Sequence, residues 1–427
     1  MDIKDIHQLF LSCNSISIDT RKIQLNSFFV AIKGERFDAN TFAKEALEKG
    51  ASFVIIDNKD FYLNEKTIVV NDSLQTLQEL AKFHRNHLNL QVIALTGSNG
   101  KTTTKELINV VLSKKFNVKA TLGNLNNHIG VPLTLLSFTN DTEIGIVEMG
   151  ANHQKEIEFL CQLAEPNFGY ITNFGKAHLE GFGGVEGVIK GKSEMYAYLI
   201  LNKRKVFVNL DDEIQNEKTN HAQRITFSAK EKSANVFIRN ITANPLVKIQ
   251  YKTIQINSNL IGLYNANNIN VAITIGNYFN INDSDIKNAL ESYIPENNRS
   301  QLISKNTNEI ILDAYNANPS SMKVALENFI QLKNLNKLVI IGDMFELGAE
   351  SLLEHAHIVN QLKNENTIDC LFVGLDFYQN KIESKHFYFY KTFEELTDNL
   401  NTISFKNKLI LIKGSRGMAL ERVLEFI

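Results

Sequence analysis

Short apolar runs recur along the chain, and most are followed by stretches whose apolar positions fall three and four apart. Phe28 to Ile32 and Ser52 to Ile56 read as strands. Phe42 to Lys49, stopped by Gly50, reads as a helix, and Leu74 to His84 as another. From residue 89 onward, strands at Val92–Leu95, Ile144–Glu148, Gly169–Thr172 and Val206–Asn209 alternate with helical spacing. That alternation predicts a mostly parallel sheet covered on both faces. Asn235 to Ser258 breaks the rhythm with short alternating runs, which predict an antiparallel insert. After Arg299 a second alternation places strands at Glu309–Leu312, Lys337–Ile341, Leu371–Val373 and Lys408–Ile412. The expected architecture is α/β in three domains. These are a small N-terminal α/β domain at 1–88, a central mostly parallel domain at 89–296, and a C-terminal Rossmann-like α/β domain at 297–427.

The boundary between the first strand of the central domain and its helix carries the sharpest chemistry. Ala94-Leu-Thr-Gly-Ser-Asn-Gly-Lys-Thr-Thr-Thr-Lys105 runs from apolar strand to glycine loop to helix. Gly97 and Gly100 let backbone N–H groups turn toward phosphate oxygens, with the helix N-terminus behind them. Lys101 supplies charge for the outer phosphates, and Thr102 offers a hydroxyl to Mg²⁺. The central domain is therefore expected to be of the P-loop type and to bind ATP through Gly97, Ser98, Asn99, Gly100, Lys101, Thr102 and Thr103. The loop is shorter than the usual Walker pattern, because position 95 is Leu rather than Gly. The alternative is an ordinary glycine turn.

Other polar residues fall just past predicted strand ends: Glu148, Asn173, Asp313, Asp343 and Lys413. That edge is where open α/β sheets bind ligands. Two such edges in successive domains predict a cleft with ATP shared across it. Glu148 there suits Mg²⁺, or is a solvated strand end. His178 is a second metal or phosphate contact, or structural. Lys192 shares a helix face with Val188, Met195, Tyr196 and Leu199. Burial would favour its neutral amine, which can take up CO₂ as a carbamate. On spacing alone, a lysine snorkelling from the helix edge is the preferred reading. Asp313-Ala-Tyr-Asn-Ala-Asn-Pro319 could hold a ribose hydroxyl or form an Asn-Pro turn. Ile412 to Gly417 is a small basic loop suited to an anion or to a turn.

Composition narrows the class. The 427 residues are 44% apolar, enough for several cores, and 45 basic against 47 acidic side chains leave a net charge of −2. That balance argues against a broad nucleic-acid surface. Cys13, Cys161 and Cys370 form no CxxC pair, so neither a zinc site nor a disulfide framework is suggested. The N-terminus lacks the pattern of a signal peptide, and no run approaches the roughly 18 apolar residues of a membrane span. A cytoplasmic protein is expected, and nothing demands an oligomer, so a monomer.

Taken together, these segments resemble the Mur ligase family, which builds the peptide of the bacterial cell-wall precursor. The likeness runs nearly the whole chain. It covers Asp19-Thr-Arg21, Phe28 to Asp38, the phosphate loop, Gly123-Asn-Leu-Asn-Asn-His-Ile-Gly-Val-Pro132 and Glu148-Met-Gly-Ala-Asn-His153. It continues through His178 to Gly183, Lys192-Ser-Glu-Met-Tyr196, Asp313 to Pro319, Gly342-Asp-Met-Phe-Glu-Leu-Gly348 and Lys413-Gly-Ser-Arg416. The phosphate loop is common to the family. The segments at Glu148 and Gly342 are selective for members that add a dipeptide.

The resemblance implies ATP-driven joining of D-alanyl-D-alanine to UDP-N-acetylmuramoyl-tripeptide through an acyl phosphate, with a mobile third domain. It implies Mg²⁺, two ions, held by Thr102, Glu148, His178 and a carbamylated Lys192, which reverses the preference stated above for that residue. Lys101, Glu148, His178 and Lys192 would carry the chemistry. Asn265 and Asn268 would sit at the adenine, and Arg299 and Asp313 would reach the nucleotide from the third domain. Asp19, Thr20 and Arg21 would face the uridine diphosphate end, and Asn126, Asn127, Tyr315 and Asn316 would line the peptide and dipeptide site.

Three places depart from the family pattern. Ala39 and Asn40 replace the Gly-His that usually follows Asp38, His128 stands where an acidic residue is common, and Asn298 stands where Gly is frequent. Rival readings are a sister ligase adding one amino acid and a nucleotide-driven switch without ligase chemistry.

Overall fold

The computed structural model describes residues 1–427 apart from Arg36, Asn297, Asn334, Leu335, Asn401 and Thr402. Arg36, within one of the family-like segments, and the expected domain start at 297 thus lie outside the described residues.

Three large sheets follow one another along the chain, and a two-stranded antiparallel ribbon, Lys33–Gly34 with Phe37–Asp38, accompanies the first. The first is parallel throughout, in the order Ser15–Ser17, Ser27–Val30, Ala51–Ile56, Thr67–Val69. The expected helix between its second and third strands is shorter by one residue at each end. Ala39–Phe42 is a 3-10 turn, and the α-helix proper is Ala43–Glu48. Asn40 explains the turn. It is buried, donates its amide to Asp38 and Asp57, and accepts the Asp57 N–H. The departure at this position is therefore a structural stitch.

The helix Ser73–Leu88 carries the chain to the central sheet, capped by Asp72 and closed by Asn89 in the left-handed region. That sheet has nine strands. Its parallel part runs Val118–Ala120, Ile144–Glu148, Gln91–Thr96, Phe168–Ile171, Lys205–Asn209, Gln223–Ser228. The antiparallel insert comprises Val236–Ala243, Leu246–Tyr251 and Ile254–Ile261. It does not stand apart, because Val236–Ala243 pairs in parallel with Gln223–Ser228 and extends the same sheet. The strands Val118–Ala120 and Gln223–Ser228 have half-exposed or exposed residues and gave no apolar run to read.

The third sheet runs Gln301–Lys305, Asn308–Asp313, Leu409–Lys413, Lys337–Gly342, Ile368–Val373, Phe387–Tyr390. Only the first pair is antiparallel. Its central strands are buried at every position, as a parallel sheet covered on both faces requires.

Register sets the functional edge. Leu95 lies opposite Glu148 and Thr96 opposite Ile171, so three strands end level and deliver Gly97, Glu148 and Thr172 to one rim. In the third sheet Asp313 lies opposite Lys413.

Candidate active site

The phosphate loop is locked from both sides. Gly97 has φ +142°, and a Cβ there would lie 1.9 Å from Thr172 Oγ1. Gly100, at φ +78°, caps the helix Lys101–Leu112, and its Cβ would lie 2.8 Å from Asn268 Oδ1. Only glycine meets both demands. The adjoining strand end holds the loop in place. Thr172 Oγ1 donates to Asn99 O at 2.6 Å, Asn99 N donates to Asn173 Oδ1 at 3.0 Å, and Ser98 Oγ donates to Gly175 O at 2.8 Å. Lys101 Nζ curls over the loop and donates to Gly97 O at 2.6 Å. Burial pushes its pKa down, the Glu148 charge opposes that shift, and Arg299 adds to it.

Glu148, 2% exposed, is gripped at both carboxylate oxygens. Thr102 Oγ1 donates to Oε2 at 2.9 Å, and Asn126 Nδ2 donates to Oε1 at 2.8 Å. The residue is therefore not a solvated strand end. Asn268 accepts from Thr104 at 3.0 Å and donates to Asn265 Oδ1 at 2.8 Å, which ties both asparagines to the helix behind the loop.

The third domain closes over this rim. Arg299 stacks on Tyr315 with its guanidinium carbon 3.4 Å from the ring centroid. Asp313 pairs with Lys413 at 2.6 Å and accepts the Ser300 N–H at 3.0 Å. Arg299 sits next to Asn298, which has φ +56° and accepts the Tyr315 N–H through its carbonyl. Asparagine tolerates that left-handed conformation, which accounts for the departure from Gly there. A cleft of about 1050 Å³ lies between the central and third sheets. Ser98 to Thr103, Asn126, Asn127, His128, Glu148, His178, Asn265, Asn268, Arg299, Asp313, Tyr315, Asn316 and Lys413 all line it.

Several expected residues stand elsewhere. Asp19, Thr20 and Arg21 do not line the cleft. Asp19 accepts two hydrogen bonds from the Arg21 guanidinium at 2.9 Å, which hold its carboxyl down at about 2. Asp343 is absent from the lining too. It is buried within the third domain, where its oxygens accept the N–H groups of Asp376 and Phe377 at 3.0 Å, so this strand-end carboxylate is structural.

Lys192 lies behind the lining rather than in it, 1% exposed on the helix Val185–Leu201, so it does not snorkel. Its Nζ donates to Ala151 O at 3.2 Å and lies 5.0 Å from the Phe182 ring centroid. Burial, and then the charge of Lys101, push its pKa well below the usual lysine range against Glu156 and Glu194. His178, at φ +53°, brings its Nδ1 against a carboxylate oxygen of Glu346 of the third domain. That contact holds the Glu346 carboxyl below its ordinary range. Among the described residues no group of three or more His, Cys, Asp or Glu side chains gathers as a metal cluster.

No local feature of the sequence marks the bridge between the central and third domains. Asn318 Nδ2 donates to Asn99 Oδ1 at 2.7 Å, Lys176 N donates to Ser320 Oγ at 2.6 Å, and Lys176 Nζ pairs with Glu354 at 2.6 Å. Asn318 and Glu346 lie in family-like segments, but only the tertiary contact gives them a role.

Comparison with known proteins agrees with this geometry. Residues 12–85 match the Mur ligase family catalytic domain, 95–276 the Mur ligase middle domain, and 298–416 the Mur ligase glutamate ligase domain. The chain is 35% identical to a UDP-N-acetylmuramoyl-tripeptide–D-alanyl-D-alanine ligase of Buchnera aphidicola, over 97% of this chain and 92% of that one. It is 33% identical to the protein of the same name in Bacillus subtilis, over 96% and 92%. A crystal structure of MurF from Acinetobacter baumannii superposes with TM-score 0.86 at 28% identity, covering 99% of this chain and 98% of that one. MurF from Thermotoga maritima in complex with ADP superposes with TM-score 0.82 at 26% identity, covering 97% of each. Among the described residues no helix is long and apolar enough to cross a membrane.

Proposed function

The chain belongs to the Mur ligase family, and from that premise we infer its reaction: ATP-dependent ligation of D-alanyl-D-alanine to UDP-N-acetylmuramoyl-tripeptide in peptidoglycan synthesis. The observation that carries the reading is the single cleft lined by the phosphate loop, Glu148, Arg299 and Asp313. Nucleotide, acid and amine can meet there under a third domain that screens them from water.

A carboxylate and an amine do not condense unaided in water, so ATP supplies the leaving group. The tripeptide's terminal carboxylate oxygen attacks the γ-phosphorus. A P–O bond forms, the bond to the β-phosphate oxygen breaks, and ADP leaves. The dipeptide amine then attacks the acyl carbon. A C–N bond forms, inorganic phosphate departs, and the amine gives up a proton. Lys101 and the amide groups of the loop offset the charge gathering on the transferring phosphoryl group. Asn265 and Asn268 hold the adenine, while Arg299 and Asp313 reach the nucleotide from the third domain. Asn126, Asn127, Tyr315 and Asn316 orient the two peptides. The hydroxyl and carboxylate pair Thr102 and Glu148 fits a hard divalent cation. Mg²⁺ held there, with help from His178, would screen charge on the phosphates. Lys192, buried with its pKa depressed, fits CO₂ uptake by its neutral amine as a carbamate, which would release a proton and leave an anion behind the cleft. Closure excludes water that would hydrolyse the acyl phosphate.

The division of labour assigns 1–88 to the uridine diphosphate end, with Asp19, Thr20 and Arg21 facing it. It assigns 89–296 to ATP and 297–427 to closure. The protein acts in the cytoplasm, where its nucleotide substrates are, as a monomer. The deciding experiment is phosphate release from ATP, Mg²⁺ and UDP-N-acetylmuramoyl-tripeptide, with D-alanyl-D-alanine compared against single amino acids. Turnover confined to the dipeptide is expected. Turnover with a single amino acid would make the chain a sister ligase, and slow hydrolysis indifferent to acceptor would make it a switch.

A further inference from the structure

Lys105 is a second lysine of the phosphate-loop helix, and the mechanism above gives it no task. It lies one turn beyond Thr102, on the same face of the helix, and its side chain is 1% exposed. A buried ammonium is costly unless it is fully engaged. Lys105 Nζ donates to Thr121 O at 2.5 Å and pairs with Glu106 at 2.8 Å. Thr121 is buried in turn, just past the edge strand Val118–Ala120. Pairing of that strand with its neighbour stops at Ala120 opposite Ile146. Beyond it, the Thr121 hydroxyl accepts the Glu148 N–H at 3.0 Å, so a side chain replaces the next rung of the ladder.

Thr121 also opens the loop that brings Asn126 to the other end of Glu148. Asn126 Nδ2 donates to Glu148 Oε1 at 2.8 Å, and Asn126 O accepts the Gly150 N–H at 2.7 Å. The helix thus reaches Glu148 twice. Thr102 does so directly at the carboxylate, and Lys105 does so through Thr121 at the backbone. Neither Lys105 nor Thr121 lines the cleft.

We propose that Lys105 and Thr121 are positioning residues: together they fix the backbone of Glu148 and the root of the Asn126 loop, and so set the affinity of the Thr102–Glu148 pair for the divalent cation that accompanies the nucleotide. This rests on the nucleotide-site part of the functional reading, and not on the identity of the amine substrate.

The test is the thermal shift produced by ADP in the full-length protein, in EDTA and across a Mg²⁺ titration, for wild type, Thr121→Val, Thr121→Ser and Lys105→Met. Thr121→Val is nearly isosteric and replaces the hydroxyl that accepts the Glu148 N–H with a methyl group. Its ADP shift in EDTA should match wild type, while the Mg²⁺ concentration giving half of the additional shift should rise at least fivefold. Thr121→Ser should restore the wild-type value. Lys105→Met, acting from the other end of the relay, should behave like Thr121→Val even where its own Tm is lower, because the increment is read against each variant's own baseline. A merely structural role would lower every Tm and leave the Mg²⁺ midpoint within twofold of wild type, and that result overturns the proposal. No ADP shift in the wild type would overturn the nucleotide site itself. An ADP shift without dipeptide-dependent turnover would sink only the ligase reading.

Discussion

Asn318 reaches across the cleft from the third domain and donates its side-chain amide to Asn99 in the phosphate loop at 2.7 Å, while its Oδ1 accepts the Ser321 N–H and caps the helix Pro319–Gln331. One residue therefore starts a helix and ties the closing domain to the nucleotide loop. Asn318→Ser keeps a capping hydroxyl but is too short to reach Asn99. A single hydrogen bond is worth about 0.5–1.5 kcal/mol, so the KM for ATP should rise roughly 2- to 10-fold with little change in Tm. Asn318→Ala should add a loss of about 1 kcal/mol in stability from the missing cap. Steady-state kinetics with thermal melts separates the two, and an unchanged KM in Asn318→Ser would remove the contact from the mechanism.

Gly97→Ala places a Cβ 1.9 Å from Thr172 Oγ1 on a backbone at φ +142°. The loop must shift to admit it, and the amides aimed at phosphate shift with it. We expect a folded protein whose ADP-induced thermal shift is lost. A wild-type shift would mean that the loop geometry is not what binds the phosphates.

Lys192→Met replaces a buried amine with an apolar side chain of similar length. A desolvated amine with one hydrogen bond is costly to bury, so its replacement by an apolar side chain is neutral or stabilising and Tm should hold or rise. Turnover should nevertheless fall by roughly 100-fold or more if the modified lysine supports the phosphate chemistry, since each tenfold is about 1.4 kcal/mol. Carbon-13 NMR after incubation with labelled bicarbonate should show a carbamate resonance that is absent from Lys192→Met. Its absence from the wild type would rule out the modification.

His7 and His84 give the fold an acid limit. His84 Nε2 faces the Phe138 carbonyl at 3.0 Å and must donate to it, so His84 Nδ1 accepts from His7 Nε2 at 3.0 Å, with both rings neutral. Burial, then the nearby His84 and His87, pushes His7 from 6.5 to about 4, and burial pushes His84 down as well. The unfolded chain therefore binds more protons below its histidine pKa of about 6.5. Stability from this pair is complete above that pH and is lost as pH falls toward about 4. Tm should drop over that interval. His7→Gln, which can still donate to His84 but does not titrate, should flatten the drop, and an identical profile in His7→Gln would exonerate the pair.

Asn298 holds φ +56° beside Arg299. Asn298→Gly should change stability by no more than about 0.5 kcal/mol, whereas Asn298→Val should cost about 1–2 kcal/mol, because a branched Cβ clashes in the left-handed region. Chemical denaturation checks both. Equal stabilities would mean that the backbone relaxes away from that conformation.

The sequence alone determined what is local. The strand Gln91–Thr96, the glycine loop and the helix Lys101–Leu112 are written in consecutive residues, since apolar period, loop glycines and helix start act over a few positions. Buried parallel strands such as Ile144–Glu148 and Lys337–Gly342 announced themselves as apolar runs, while the half-exposed edge strand Val118–Ala120 did not. Tertiary structure decided everything that depends on which distant groups meet. Glu148 and Asp343 both end apolar strands, yet one meets Thr102 and Asn126 at the cleft and the other is consumed by the amides of Asp376 and Phe377. Lys192 could have snorkelled from its helix, but tertiary packing leaves it 1% exposed, beside the Phe182 ring and the Ala151 carbonyl. The bridge from Asn99 to Asn318 spans 219 residues of chain. A hydrogen bond or a desolvated charge depends on its partner and its water, and neither is fixed by the neighbours in sequence.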